Sequence, residues 1–225
     1  MPYEITAKLI RFNRPKTALT PVGAVLHDTQ YLYGEDNAQR EILYFDSANR
    51  DVSAHAFVDS ENILQAIPWN EVAWHAAHTA NSMFWGIELC YTKDTQKFTE
   101  IWKRGVWLFA HLFVNVANPK ILRVTESNLL SHAQVSDKWH ECDHRDPLSY
   151  FKFHGKTIEN FRVDVQGAID EMLNASSLEN SILILQKAGL ILSPDYWKQN
   201  AVAGKQVNGE YAGILIHKMA EKIKI

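Results

Sequence analysis

A segment of seventeen residues, SHAQVSDKWHECDHRDP at 131–147, concentrates side chains that bind metal ions. It contains three histidines, one cysteine and three aspartates. A solvated loop can carry the same mixture, but so can half of a zinc site. A catalytic zinc takes three protein ligands from imidazole, thiolate and carboxylate groups and leaves one position open. One or two of them would come from this segment, so the pattern predicts a further ligand elsewhere in the chain.

His27 is a candidate for that distant ligand. The apolar run TPVGAVLHDT at 20–29 predicts a buried strand that ends near His27. Taken alone, His27 and His132 are each more typical of hydrogen-bonded core histidines than of metal ligands. Four residues compete for the third ligand position, and local spacing does not decide among them: Cys142, Asp146, His140 and His144.

Glu88 is a charged residue inside another apolar strand, WGIELC at 85–90. In a strand of period two its side chain points away from those of Ile87 and Leu89. That side is either solvent or the floor of a cleft. In a cleft, burial would raise the pKa of the carboxyl group and suit it to general acid or base catalysis.

The elements that must position these residues alternate between strand and helix patterns. Strands are predicted at 20–29, 53–60, 62–69 and 85–92, and helices at 36–48, 97–118 and 157–173. In the first helix, Asp36 is the predicted N-cap, and Ile42, Leu43 and Phe45 are predicted to face inward. The pattern predicts an α/β fold with a central mixed β-sheet flanked by helices.

The chain is long enough for one full domain and a small appendage, with 225 residues of which 46% are hydrophobic. NASS at 174–177 resembles a linker and is followed by three helix patterns. We therefore expect a catalytic domain at 1–174 and a small all-helical C-terminal module at 176–225. A module of this size has too little core to be stable by itself.

Composition excludes several classes of protein. The net charge is −3 without a basic stripe, so no nucleic-acid partner is expected. Two cysteines are too few for a disulfide scaffold. The N-terminal MPYEITAKLIRFNRP lacks the apolar run of a signal peptide or a membrane span. We expect a protein made in the cytoplasm without membrane insertion.

Six short motifs in the same order resemble those of one family. They are VLHDT (25–29), SAHAFVD (53–59), ILQAIPWNEVAWHA (63–76), WGIELC (85–90), SHAQVS (131–136) and DHRDP (143–147). Together they resemble the zinc-dependent N-acetylmuramoyl-L-alanine amidases of the type-2 class, over roughly residues 5–170. That class includes phage endolysins and bacterial autolysins and shares its fold with the peptidoglycan recognition proteins.

The resemblance implies a ligand set for one Zn²⁺ per chain. His27 and His132 match the two ligand histidines. The third ligand in the family directly precedes a proline, which here selects Asp146, before Pro147. Cys142 lies outside that register and is expected to be a bystander.

The resemblance also implies roles in catalysis. Glu88 matches the catalytic acid/base, and His144 stands where many members have a lysine that stabilises the reacting oxygen. His75, in the WHA motif, matches a wall of the substrate groove, with a structural role beside the ligands as its alternative.

The implied reaction is hydrolysis of the amide between N-acetylmuramic acid and L-alanine in peptidoglycan. Two alternatives are a non-catalytic peptidoglycan-binding protein and a cytoplasmic amidase that recycles muropeptides. The C-terminal helices favour a lysin that reaches the cell wall through a holin-type pore. Those helices are expected to anchor the enzyme to the wall, cover an apolar face or form a homodimer.

Overall fold

A computed structural model of the protein describes residues 3–30, 35–175 and 177–223. The chain divides into two compact units, Met1–Ile169 and Asp170–Ile225. The predicted assignment of functions to domains at 1–174 and 176–225 stays a prediction, and Ser176 lies outside the described residues.

The first unit contains a six-stranded mixed sheet in the order β1-β4-β3-β5-β2-β6. Its strands are β1 Ile5–Ala7, β2 Gly23–Asp28, β3 Ala56–Val58, β4 Ile63–Gln65, β5 Phe84–Leu89 and β6 Leu129–Ser131. The pair β3–β4 is antiparallel and the other pairs are parallel. The predicted mixed sheet is confirmed.

The central strands β2 and β5 pair over their full length, from Gly23 beside Phe84 to Asp28 beside Leu89. Every residue of β2 is buried. Strands of a parallel sheet with both faces covered have continuous apolar sequences, as this strand has. Ligands of open α/β sheets bind beyond the carboxyl ends of the strands, which is where β2 ends in His27 and Asp28.

Six helices belong wholly or mainly to the first unit: α1 Ala38–Phe45, α2 Ala77–Asn81, α3 Thr95–His111, α4 His132–Trp139, α5 Leu148–Phe153 and α6 Ile158–Ala175. A π-helical turn, Leu112–Val116, continues α3. The predicted helices at 36–48, 97–118 and 157–173 correspond to α1, α3 with its π-helical turn, and α6. The sequence patterns did not identify the short elements α2, α4, α5, β1 and β6.

Helix α1 corrects two expectations. Its N-cap is Asn37, whose side chain accepts a hydrogen bond from Arg40 N, and not Asp36. The predicted inward residue Leu43 is 62% exposed, while Glu41 is buried. The buried stripe runs through Ala38, Glu41 and Ile42, which share one helical face because they are spaced by three and four residues. The other two residues predicted to face inward do so, since Ile42 is buried and Phe45 packs against the core.

The second unit contains α7 Leu178–Lys187, α8 Pro194–Asn200 and α9 Gly209–Ile223. Gly189, with a φ of 71°, follows the end of α7 in the left-handed conformation that favours glycine. Ile182 and Ile191 are buried, whereas several apolar residues of the predicted pattern are more than one-third exposed: Leu183, Ile214 and Met219. None of the helices in the described ranges is long and apolar enough to cross a membrane.

Candidate active site

Three separate elements bring His27, His132 and Asp146 together. His27 lies near the end of β2, His132 is the first residue of α4, and Asp146 lies in the loop before α5. The start of α4 is fixed by a capping box. Ser131 Oγ accepts a hydrogen bond from Gln134 N, and Gln134 Oε1 accepts one from Ser131 N. This S-x-x-Q signature was present in the sequence and would have predicted the helix.

The ligand atoms of these residues converge. His27 Nδ1 lies 3.0 Å from Asp146 Oδ2, and His132 Nδ1 lies 3.1 Å from Asp146 Oδ1. The three ligand atoms lie within 4.8 Å of one another, and all three residues are buried. Asp146 Oδ1 is buried and has no well-aligned hydrogen bond from any described residue, although His132 Nδ1 is close.

The protonation of this cluster fits a metal ion. Burial lowers the pKa of His27 to about 4, despite the opposing effect of the Asp146 carboxylate, which favours the protonated imidazole. Burial alone would raise the pKa of Asp146, but its contacts with His132 and His27 hold that pKa well below the usual range. A neutral His27 imidazole therefore faces an ionised carboxylate at neutral pH. Two imidazoles and one carboxylate form the donor set that zinc accepts in catalytic sites.

Glu88 lies beside His27, because the two residues are paired in the register of β5 and β2. Its Oε2 is buried and has no hydrogen-bond partner among the described residues. Burial raises its pKa well above the ordinary value of 4.5, and the nearby carboxylates of Asp146 and Asp28 add to the effect. A carboxyl group in a cleft whose pKa is perturbed in this way is a candidate for general acid or base catalysis.

His144 and Cys142 both lie close to His132, but on different sides of it. The ring of His144 stacks on that of His132 at a centroid distance of 4.5 Å, and its side chain is 55% exposed. Its Nδ1 is 3.7 Å from Asp146 Oδ1. Cys142 Sγ lies 3.4 Å from His132 Nε2, the nitrogen opposite the one that faces Asp146. Cys142 is therefore outside the converging ligand atoms. His140 is exposed.

His75 contacts His27 on the side of the ring opposite Asp146. Its Nδ1 is 3.1 Å from His27 Nε2, and its Nε2 is 3.0 Å from the carbonyl oxygen of Phe84.

All six predicted site residues line one cavity of about 430 Å³: His27, His75, Glu88, His132, His144 and Asp146. Sequence analysis missed three further carboxyl groups that line it: Asp28, Glu41 and Asp51. Burial raises the pKa of Asp28 and that of Glu41 to about 7. The spacing of Glu41 from Ala38 and Phe45 was the available signal, since residues three and four positions apart share a helix face.

Known proteins resemble this chain in sequence. The model of the family described as N-acetylmuramoyl-L-alanine amidase, Amidase_2, matches residues 17–148. The N-acetylmuramoyl-L-alanine amidase XlyA of Bacillus subtilis is 29% identical over 133 residues, which are 58% of this chain and 42% of XlyA. Protein Ami of Listeria monocytogenes is 26% identical over 160 residues, which are 70% of this chain and 17% of Ami. The chain thus matches less than half the length of either relative.

Solved structures share the fold. A mutant endolysin from Bacillus subtilis has a TM-score of 0.57 at 26% identity, covering 72% of this chain and 99% of the endolysin. The hydrolase AmiA of Staphylococcus aureus has a TM-score of 0.62 at 21% identity, covering 75% of this chain and 84% of AmiA. The family model matches more than half of the 225 residues of this chain, and the chain therefore belongs to the N-acetylmuramoyl-L-alanine amidase family.

Proposed function

We propose that this protein is a zinc-dependent N-acetylmuramoyl-L-alanine amidase that degrades bacterial peptidoglycan. The reaction cleaves the amide that joins the lactyl group of N-acetylmuramic acid to L-alanine of the stem peptide. One observation carries the proposal. The residues of three converging ligand atoms line the same cavity as Glu88, whose buried Oε2 has no hydrogen-bond partner among the described residues, in a chain of the amidase family.

His27, His132 and Asp146 would hold one zinc ion per chain. Bound zinc supplies Lewis acidity to the amide carbonyl and to the attacking water. The two imidazoles are neutral ligands and the carboxylate carries one negative charge, so the bound ion would keep a net positive charge. The loss of hydration on burial of Asp146 is offset by its contacts with both histidines.

Glu88 would act as the general base and then as the general acid. It takes a proton from the attacking water and delivers it to the nitrogen of the leaving L-alanine. Its Oε2 is buried beside His27, and burial holds the pKa of the carboxyl group above the ordinary value. Once ionised, a carboxyl group with a raised pKa is a stronger proton acceptor than an ordinary one.

His144 would stabilise the oxyanion that develops on the carbonyl oxygen. Its ring is held against His132 by stacking, yet more than half of its side chain is exposed, so a substrate can reach it. An N–H group aimed at developing charge lowers the barrier more than the same contact in water.

The substrate proposal includes the site of action. Family relatives named autolysin and amidase support action at the bacterial cell wall, and we propose peptidoglycan as the partner. The comparisons give no support to a homodimer through the C-terminal helices.

The test is to incubate the zinc-loaded protein with purified bacterial cell walls and identify the new chemical ends. An amidase releases new L-alanine amino groups without new reducing sugars. The Glu88→Gln variant is the matched control and should release neither. Sedimentation with walls but no new ends would indicate a non-catalytic binding protein. Cleavage of soluble muropeptides but not of walls would indicate a recycling enzyme.

A further inference from the structure

A chain of hydrogen bonds determines which nitrogen of His27 carries the proton. The Phe84 carbonyl can only accept, so His75 Nε2, at 3.0 Å, must be the donor. In the neutral ring, His75 Nδ1 is then an acceptor. His27 Nε2, at 3.1 Å from it, must donate. The proton of His27 is therefore on Nε2, and the lone pair of its Nδ1 faces Asp146.

The surroundings of His75 hold its ring in that place. A Cβ atom on Gly86 would lie 2.2 Å from His75 Cγ, so only a glycine in the middle of β5 leaves room for the ring. The backbone on either side is fixed by Asn81, whose Oδ1 accepts from His75 N at 2.8 Å and from Ala76 N at 2.7 Å. The rings of His75 and His27 meet edge to face at 5.2 Å.

From this arrangement we propose that His75 is a positioning residue that fixes the tautomer and the ring orientation of His27 for metal binding. The inference rests on the proposed function only in assuming a zinc site at His27, His132 and Asp146. Both ring nitrogens of His75 are already engaged, so neither is free to bind a substrate. The proposal takes up the structural role beside the ligands that was the alternative for His75, whose side chain also lines the cavity.

The expected effect is on metal affinity. A histidine ligand whose other ring nitrogen donates to a fixed acceptor is held in the binding tautomer, and loss of such an acceptor typically weakens metal binding about 10- to 100-fold. His75→Phe keeps a ring against Gly86 but removes both nitrogens. His75→Asn restores an acceptor oxygen near the position of Nδ1.

The experiment measures the zinc dissociation constant of the full chain by competition with a chromophoric chelator. It also records the absorption spectrum of the cobalt-substituted protein. His75→Phe should bind zinc about 10- to 100-fold more weakly and shift the cobalt spectrum, and His75→Asn should recover most of the affinity. Gly86→Ala, which displaces the ring without removing it, should weaken binding in the same direction. His78→Phe, at an exposed histidine of α2, is the matched control and should change nothing.

Equal zinc affinity in His75→Phe and wild type overturns the proposal. It is also overturned if His75→Asn binds as weakly as His75→Phe while the metal-free variants melt at the same temperature. A wild-type chain that binds no zinc overturns it too. If the predicted affinity pattern appears but cell walls yield no new L-alanine ends, the proposed amidase function fails and the role of His75 stands.

Discussion

Replacing Glu88 with glutamine removes a proton acceptor while changing little volume. The side chain lies beside His27 in the sheet register, and its Oε2 has no hydrogen-bond partner in the described part of the chain. No described hydrogen bond of that oxygen is lost, and the ligands are untouched, so the variant should fold and bind zinc. Loss of general acid–base catalysis should lower kcat about 10²- to 10⁴-fold, or about 3–5 kcal/mol in the barrier.

The assay is kcat on a soluble muropeptide, with bound zinc measured in the same samples.

A second readout is the stability of the metal-free protein. The pKa of Glu88 is raised in the folded state, so the folded chain keeps a proton that the unfolded chain loses above about pH 4.5. Stability from this group is therefore present below that pH and is lost as pH rises, by up to about 1.4 kcal/mol per pH unit.

Glu88→Gln lacks this loss, so the melting temperature of the variant should rise relative to that of wild type as the pH increases above about 4.5. Wild-type turnover in zinc-loaded Glu88→Gln would remove Glu88 from the mechanism. Parallel melting curves across that pH range would show that the carboxyl group is not perturbed as the structure indicates.

Four further predictions follow from the site and from the C-terminal unit. Asp146→Ala should lose bound zinc in metal analysis while Cys142→Ala keeps it. The opposite result would show that Cys142, and not Asp146, is the third ligand. His144→Ala should keep bound zinc but lower kcat on a soluble muropeptide, because an N–H donor to the developing oxyanion is lost; unchanged kcat would exclude that role. The pKa of Glu41 is raised from 4.5 to about 7, so Glu41→Gln should stabilise the metal-free protein by up to about 3 kcal/mol above pH 7 and not at pH 4, as measured by urea unfolding. A chain ending at Asn174 should bind zinc and cut soluble muropeptides but sediment poorly with walls; aggregation or loss of zinc would exclude the anchor role.

Much of the site could be read from the sequence because its residues stand in short local motifs. A strand ending in VLHDT, a charge inside WGIELC and a carboxylate before Pro147 are each visible within a few letters. The resemblance selected Asp146 over Cys142, and the structure places the Asp146 oxygens, and not the Cys142 sulfur, against the Nδ1 atoms. The α/β class followed from alternating strand and helix patterns, because hydrophobic period is a local property.

Other features depended on contacts between distant parts of the chain. The pairing of His27 with Glu88 is a matter of strand register, which no single strand contains. The inward position of Glu41 depends on which face of α1 packs on the sheet, and the apolar pattern was right for Ile42 and Phe45 but wrong for Leu43. The role of His75 arises from a hydrogen-bond chain to Phe84 and from the space beside Gly86. Sequence determined which chemical groups were available, whereas folding decided which nitrogen, oxygen or sulfur of each group faces the cavity, since side-chain direction is set by packing between elements.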